Sequence, residues 1–392
     1  MGQYFGDYSE ILQSRKELYK RYGIGLSADG FSDGKASSPL QFKAMLEHNT
    51  RINFGALVSA SATQSSNGVE VARKGTQSKN DISSVNLNDE QAVAAFIDEN
   101  SVCEVHVNAP ENSEINANVL FVADSLLPVK IIVNAQQGSV VKLLEWFASD
   151  GKGVVPLQVI NAGRNAYVDL SIVHNEAINA NLVSLASATA GQGAVIQINS
   201  VLSGLSKAKL STFAIAKEDA SKISINSVLI INKHQAFDAS SVLRSLGKNT
   251  TAQSKTGAVL FDQSQCLLKD FAKVDKAAVG AYSYVEERGL LLSSESNFMP
   301  LPDMSIDTRN VSFASHSASS TPLSKEHIFY MMSRGMSEGD ARHSLTLAFL
   351  MHYLTSMSNA KIKEIAATII NDKMLSGAVP AAPQLSTSSI WQ

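Results

Sequence analysis

The sequence has few cysteines and little charge for its length. Among 392 residues it contains two cysteines, Cys103 and Cys266. Two are too few for a disulfide framework or for a four-cysteine zinc site. Charged residues make up 18% of the chain, and the formal net charge is −3. Such a charge gives no bulk attraction to nucleic acid or to an anionic membrane, so we expect neither as a partner.

Several functional motifs are also missing. The chain has no apolar run long enough for a transmembrane helix. Residues 1–23 lack the apolar block of a signal peptide, so we expect a cytoplasmic protein. Gly247 and Lys248 are followed by Asn249 rather than Ser or Thr, which excludes a phosphate-binding loop. Because no G-x-S-x-G nucleophile motif occurs either, we expect a protein that is not an enzyme.

The first hundred residues have a mixed character. Residues 8–22 carry apolar side chains at the spacing of an amphipathic helix. Residues 56–80 contain few large apolar side chains and are predicted to form an exposed, mobile loop. Asn88 is a suitable N-cap for a helix over residues 89–100. We therefore predict an N-terminal helical region with a flexible loop over residues 1–100.

From about residue 102 the sequence repeats, and the apolar residues around each repeat alternate as in β-strands. Successive units are 14 residues apart, with one interval of 13. A strand of roughly 6–8 residues plus a turn fits such a unit. Two architectures remain open on spacing alone, namely an antiparallel meander and a solenoid with two units per coil. The predicted strand centres are Val140, Val154, Val168, Leu182, Ile196, Leu210, Ile223 and Phe237.

The end of the chain changes to helical patterns. Ser324 is predicted to cap a helix that ends at Gly335, and Ser337 with Asp340 forms the start signal of a second helix. The apolar residues of this second helix cover more than one face, which predicts that it is well buried. A third helix carries a single apolar stripe, formed by Ile362, Ile365, Ala366, Ile369 and Ile370. The predicted domains are a β core over residues 101–316, a helical domain over 317–376 and a disordered tail over 377–392.

Few side chains suggest chemistry by themselves. Cys266 is interpreted as a small buried apolar residue, and Cys103 in the same way, so both are weak candidates for a sulfur or redox role. The segment from Glu286 to Arg288 is interpreted as a solvated turn. His316 stands among small residues where the β core meets the helical domain. Its sequence context alone favours a structural role over a ligand role.

Two neighbouring segments resemble a known family. Residues 314–319 (ASHSAS) and 327–337 (HIFYMMSRGMS) are similar to the Cys-Ser-His-Gly-Ala-Thr and Gln-Leu-Phe-Tyr-Leu-x-Ser-Arg-Gly-Ile-Ser motifs of the SufB/SufD proteins of iron–sulfur cluster assembly. Upstream, residues 290–293 (LLLS) and 300–306 (PLPDMSI) look like further family motifs. The resemblance covers about residues 257–357.

The resemblance implies a fold and a set of partners. The expected fold is mainly β, a right-handed parallel β-helix with an α-helical N-terminal segment and a C-terminal α-helical domain. Family members pair through their β-helices, and each helical domain docks a SufC ATPase. By analogy, the docking surface here would include Phe329, Tyr330, Arg334 and Arg342.

Departures from the motif point to a SufD-like chain. Ala314 stands where the family has its cysteine, and Ser317 replaces the following glycine. Without that thiolate the chain is not expected to bind a cluster stably by itself, and the resemblance implies a transient cluster at the subunit interface. His316 is then the best candidate for a cluster or metal ligand.

Three functions follow from these observations. The main hypothesis is a scaffold subunit that pairs with a SufB-like chain and docks SufC. The alternative is a homodimeric, divergent SufB/SufD paralogue that binds SufC without a cluster. A β-helix carbohydrate-active protein is disfavoured, since clustered Asp or aromatic residues are missing from the repeat.

Overall fold

The computed structural model describes residues 68–73, 93–95, 97 and 101–376, except 102, 124–126, 150–152 and 176–179. Their dominant feature is a β-solenoid of about seven turns. The strands are β1 (Val69–Arg73), β2 (Cys103–Ala109), β3 (Glu114–Ala123), β4 (Leu127–Ala135), β5 (Val140–Ser149), β6 (Gly153–Ala162), β7 (Tyr167–Asn175), β8 (Asn181–Ala190), β9 (Val195–Ser203), β10 (Lys207–Ala216), β11 (Lys222–Ile231), β12 (Ala236–Ser245), β13 (Thr251–Leu260), β14 (Gln265–Val274), β15 (Tyr282–Leu291), β16 (Asn297–Pro300), β17 (Asp303–Ile306) and β18 (Phe313–Pro322).

From β2 to β16, successive strands alternate between two sheets, and within each sheet they pair in parallel. The first sheet has the order β1-β2-β4-β6-β8-β10-β12-β14-β16, with β17 also beside β14, and the second sheet has the order β18-β15-β13-β11-β9-β7-β5-β3. Each strand therefore pairs with the strand one full coil later, as Val140 does with Tyr167 and Tyr282 with Phe313. This pairing excludes the antiparallel meander and confirms the solenoid with two strand units per coil. That the coil is right-handed stays a prediction.

The predicted strand centres are in fact strand beginnings. Val140 is the first residue of β5, and Val168, Ile196 and Ile223 are the second residues of their strands. The last three lie in register with one another, are fully buried and point into the solenoid. Six of the eight predicted centres thus mark the first inward position after a turn, because that position is apolar in most coils. Val140 lies one residue before it and Leu210 two residues after it.

The turns stack as regularly as the strands. Asn112, Asn165 and Asn249 adopt the left-handed backbone conformation, with φ of 56°, 55° and 53°. Each asparagine amide lies against a glycine of the next coil. Asn112, for example, contacts Gly138, and a Cβ on Gly138 would be 2.3 Å from Asn112 Oδ1. Only a residue without a Cβ tolerates this approach.

Apolar side chains fill the solenoid and also cover both of its outer faces. On the first sheet, Val93, Ala94 and Ile97 pack against an apolar patch that includes Phe213. Residues 93–95 and 97 are helical, in agreement with the predicted helix over 89–100. On the second sheet, the C-terminal helices cover the outer face. Helices on both faces explain why so many strand positions are buried on either side.

The three C-terminal helices are α1 (Lys325–Ser333), α2 (Glu338–Leu354) and α3 (Ala360–Ser376). Ser324 and Ser337 cap the first two helices as predicted, since Ser324 Oγ accepts from His327 N and Ser337 Oγ from Asp340 N, each at 3.1 Å. The apolar stripe of α3 is confirmed by the burial of Ile362, Ala366, Ile369 and Ile370.

Two predictions for this region need correction. Helix α2 is not well buried throughout, because it lies on the solenoid surface: Leu350, Tyr353 and Leu354 face the sheet, while Met351 is 42% exposed. Strand β18 continues to Pro322. The change from strand to helix therefore lies at 323–325, and the predicted boundary between residues 316 and 317 falls inside a strand.

The N-terminal predictions are tested only in part. Residues 69–73, inside the predicted loop over 56–80, form β1, which pairs antiparallel with β2. The predicted helix over 8–22 and the predicted tail over 377–392 lie outside the described residues. In the described segments, no helix combines the length and apolarity needed to cross a membrane.

Candidate functional site: the terminal coil and its helices

The second sheet ends at β18. On one side β18 pairs with β15, placing His316 beside Val285, and it is the last strand in the sheet order. An edge strand presents backbone N–H and C=O groups to whatever approaches it. The strand consists largely of alanine and serine, so a second backbone meets few bulky side chains here.

His316 lies at the open end of the solenoid. Val285, its partner in β15, is fully buried and points inward, and strand alternation gives His316 the same direction. No further coil follows in the described part of the second sheet, and His316 is exposed. Its imidazole is thus accessible to a partner bound at the β18 edge. Ala314 lies two residues earlier on the same side of the strand.

The two cysteines lie far from each other and are both buried. Cys103 is in β2 and Cys266 is in β14 of the same sheet. Six strand steps of about 4.8 Å separate these strands, roughly 29 Å, which excludes a disulfide. Burial raises the pKa of the Cys266 thiol well above 9, and the negative charges of Glu287 and Asp238 raise it further. A buried neutral thiol is a poor nucleophile and a poor metal ligand.

The segment from Glu286 to Arg288 is not a solvated turn. It lies in the middle of β15, and both carboxylates are buried. The prediction was wrong because the repeat was not extended from residue 237 to this strand, where the same spacing places a strand. Alternation along the strand directs Glu286 and Glu287 to opposite faces of the sheet.

Glu286 lies beneath the helical domain. Its carboxylate accepts a hydrogen bond of 2.6 Å from Tyr284 Oη, forms an ion pair with Arg288 at 3.1 Å and lies 3.3 Å from His352 Nε2 of α2. Burial acts to raise the pKa of Glu286, but Tyr284 and Arg288 oppose it strongly enough to hold this pKa below 4.5. The ionised Glu286 therefore connects β15 to α2.

Glu287 points into the solenoid. Its Oε1 accepts a hydrogen bond of 2.8 Å from the backbone N–H of Asp270. Burial, with the adjacent Asp270 charge, raises the pKa of Glu287 well above its ordinary value. Glu287 pairs in register with Ala318, two residues after His316. A buried acid thus lies under the terminal strand, on the same side as His316.

Two further contacts dock the helices on the second sheet. The ring of Tyr353 in α2 covers Gly257 of β13. At the junction of α2 and α3, Ser358 Oγ donates to the carboxylate of Asp169 or to Gln197 Oε1, the latter at 2.6 Å. Together with Glu286, these contacts bind the helical domain to several coils of the solenoid at once.

The predicted docking surface is exposed. Phe329 is 74% exposed and Tyr330 57% exposed, and both lie on α1. Arg334 lies over the Tyr330 ring, 5.2 Å from its centroid, and donates to Tyr330 Oη at 3.2 Å. Arg342 pairs with Glu338 one turn away, at 2.9 Å. Phe329, Tyr330 and Arg334 form one exposed patch, which combines apolar surface with a positive charge.

The described residues do not form a metal site among themselves: no three of their histidine, cysteine, aspartate or glutamate side chains are grouped closely enough. His316 is exposed, whereas both cysteines are buried.

Comparison with known protein families gives a match over much of this region. Residues 119–349 match a protein-family model described as "SUF system FeS cluster assembly, SufBD core domain". This match covers more than half of the chain and includes most of the solenoid, β18, α1 and the first part of α2.

Individual relatives are more distant. An iron–sulfur cluster assembly SufBD family protein of Staphylococcus saprophyticus is 26% identical over 188 residues, which is 48% of this chain and 40% of the relative. Similar proteins of Synechocystis and Trieres chinensis are 26% identical over 147 residues and 27% identical over 118 residues, covering 38% and 30% of this chain. The matched segments span 40%, 32% and 24% of the lengths of these three relatives.

Proposed function

The chain belongs to the SufBD family of iron–sulfur cluster assembly proteins, and we propose that it serves there as a SufD-like scaffold subunit. In this role it pairs with a SufB-like chain through the terminal coil and docks a SufC-type ATPase through its helices. It carries out no chemical step by itself. The iron–sulfur cluster is cargo that forms between the two paired subunits.

The observation that carries the proposal is the composition of the β18 edge. Ala314 occupies the position of the family cysteine, and both cysteines of the chain are buried elsewhere. A thiolate is the usual protein ligand of iron–sulfur clusters. Because the edge offers only an imidazole, from His316, the thiolate would come from the partner. That need favours a SufB-like partner over a second copy of this chain.

The open edge of β18 supports pairing through the solenoid. Its small side chains permit another strand to add by backbone hydrogen bonds, which gives affinity without large side-chain contacts. His316 would then face the partner across the new interface. Imidazole can replace thiolate as a cluster ligand.

The helical domain supports the docking of an ATPase. The patch of Phe329, Tyr330 and Arg334 has the residue types that are enriched at interfaces. Helix α2 continues from this patch to the Tyr353 and Glu286 contacts on the second sheet. A force applied at α1 would therefore reach β13 and β15, close to the terminal coil.

Copurification with SufB- and SufC-type proteins tests the proposal. The chain is co-expressed with them, the complex is isolated, and a cluster is reconstituted under anaerobic conditions and measured by absorption. We expect a stable complex, a large loss of cluster yield for His316→Ala, and full yield for the control His234→Ala, which alters an exposed turn histidine.

Other outcomes separate the alternatives. A complex whose cluster yield is unchanged in His316→Ala contradicts the ligand role and leaves an architectural subunit. Absence of a complex with the SufB-type protein, together with a dimer of this chain by light scattering, favours the homodimeric paralogue.

A further inference from the structure

The interior of the solenoid is not apolar throughout. A polar stripe runs along its axis between two apolar clusters, one on each side. The stripe lies at one inward position of each sheet, as the registers of the strands define it. Its polar members are Gln158, Thr212, Ser241 and Asp270 in the first sheet and Glu145, Ser200, Ser227, Thr256 and Glu287 in the second. Ala186 and Ile172 interrupt the two columns next to Gln158 and Glu145.

Hydrogen bonds show that the two halves of the stripe face each other. Gln158 Nε2 donates to Glu145 Oε2 at 3.1 Å, from one sheet to the other. At the opposite end, Ser254 Oγ of the second sheet donates to Asp270 Oδ2 of the first at 2.7 Å. Between these ends, Ser200 and Ser227 hydroxyls lie 2.9 Å apart in adjacent coils.

A cavity of about 40 Å³ lies along this stripe. It is lined from Gln158 and His174 at one end to Thr256 and Asp270 at the other. The first-sheet strands β6 and β14 at its ends are four steps apart, roughly 19 Å. Thr212 faces the cavity and is only half-buried, although it points into the solenoid. The space is therefore a narrow passage between polar and apolar side chains, with the hydroxyl, amide and carboxyl groups of the stripe along part of its wall.

Two polar atoms at the Gln158 end need partners. Glu145 Oε1 and Gln158 Oε1 are enclosed, yet neither has a hydrogen-bonding partner in the described part of the chain. Buried polar atoms in proteins almost always have a partner, and an enclosed water is a common one. A water needs roughly 10–15 Å³ of such space, so the cavity has room for about three.

We propose that this cavity is a binding site for about three ordered water molecules, which hydrogen-bond to polar groups of the stripe between Gln158 and Asp270. Water fits better than an apolar ligand, because Gln158 lines the cavity and its enclosed Oε1 has no hydrogen-bonding partner among the described residues. It also fits better than a metal ion, since Asp270 already accepts from Ser254 Oγ and from the backbone N–H of Ser241, at 2.9 Å for the latter.

The hydrated stripe explains how acids persist inside a β core. Burial raises the pKa of Glu145 to about 8, so this carboxyl is largely protonated at neutral pH and can both donate and accept hydrogen bonds. A water molecule beside Gln158 would supply hydrogen-bonding partners to the buried carboxyl without a buried positive charge. The stripe thereby extends a polar environment from Glu145 to the Asp270–Glu287 pair under the terminal strand.

A crystal structure of the full chain at a resolution that shows ordered water tests the site directly. We expect about three water peaks between Gln158 and Asp270, each within hydrogen-bonding distance of lining groups. Crystals soaked in rubidium or thallium salts distinguish a cation by its anomalous signal. An anomalous peak in the cavity, or a cavity without density, would overturn the proposal.

Two matched variants extend the test. Both alanines point inward and pack in the same apolar cluster, but Ala239 lines the cavity and Ala208 does not. The Ala239→Leu substitution should expel the nearest water and remove its peak, while Ala208→Leu should leave all the peaks in place. Retention of every peak in Ala239→Leu contradicts the assigned location. The wild-type crystals decide the proposal even if a variant does not fold.

Discussion

The ring of Tyr353 in α2 lies directly on Gly257 of β13, so closely that a Cβ on Gly257 would be 2.3 Å from Tyr353 Cδ2. Position 257 aligns through the strand register with Val228 and Val201, which are both buried beneath the helices. At this register position on the outer face of the second sheet, valine in two coils is replaced by glycine in the coil that the Tyr353 ring covers. This contact fixes the position of α2 on the solenoid.

Replacement of Gly257 by alanine should therefore destabilise the protein. The Tyr353 ring is buried and cannot move aside without disturbing Leu350 and Leu354, so we expect a loss of about 1–3 kcal/mol in the free energy of unfolding. Denaturant unfolding measures this loss. The control Gly339→Ala adds a Cβ in the first turn of α2, where the nearest atom is 3.8 Å away, and should stabilise slightly or have no effect. Equal stability of the two variants would contradict the packing argument.

Glu286 should stabilise the docked helical domain in its ionised form. Its pKa is held below 4.5 in the folded protein, so its contribution is present above the ordinary carboxyl pKa and is lost as the pH falls through the folded value. Glu286→Gln should cost about 1–3 kcal/mol at pH 7 and progressively less below pH ~4.5. Thermal melts across this range measure the trend. Glu338→Gln, which alters an exposed ion pair, should change little at any pH.

Glu145 should give the opposite dependence of stability on pH. Its pKa is raised from 4.5 to about 8 by burial, so between these values the native state keeps a proton that the unfolded chain releases. Stability from this group is fully present below pH 4.5 and falls as the pH rises toward 8. Glu145→Gln should flatten the decline and raise stability at pH 8 by on the order of a few kcal/mol. Unfolding curves from pH 5 to 8 test this, and the same decline in the variant would contradict it. The control Glu114→Gln alters an exposed carboxylate paired with Lys142 and should leave the decline unchanged.

The exposed patch on α1 should contribute to ATPase binding. Phe329→Ala removes a large side chain that is 74% exposed and covers no core. We expect the affinity for a SufC-type ATPase to fall at least about tenfold, as for an interface hot spot, while the melting temperature stays the same. Calorimetric titration measures the affinity. Val279→Ala, which changes an exposed apolar residue in a solenoid turn, is the matched control. Unchanged binding of Phe329→Ala would place the docking surface elsewhere.

Only some residues of the candidate site at the terminal coil and its helices were predicted from the sequence. The sequence motif led to His316, Phe329 and Tyr330, and each of them is exposed where a partner can reach it. Glu286 and Glu287 were missed, because adjacent charged residues ordinarily indicate a solvated segment. Their spacing from the earlier strands was the available signal. Carrying the repeat forward would have placed them in β15 with one carboxylate on each face.

The sequence by itself determined the repeating strands, the helix caps at Ser324 and Ser337, and the family motif around His316. These depend on local periodicity and on side chains that act within a few residues of their own position. Only the tertiary structure decided between meander and solenoid, since parallel pairing joins residues 26–32 positions apart and spacing alone permits either. It also decided which carboxyls are buried and where Tyr353 meets Gly257. Those properties arise from contacts between coils and helices that are distant in the chain.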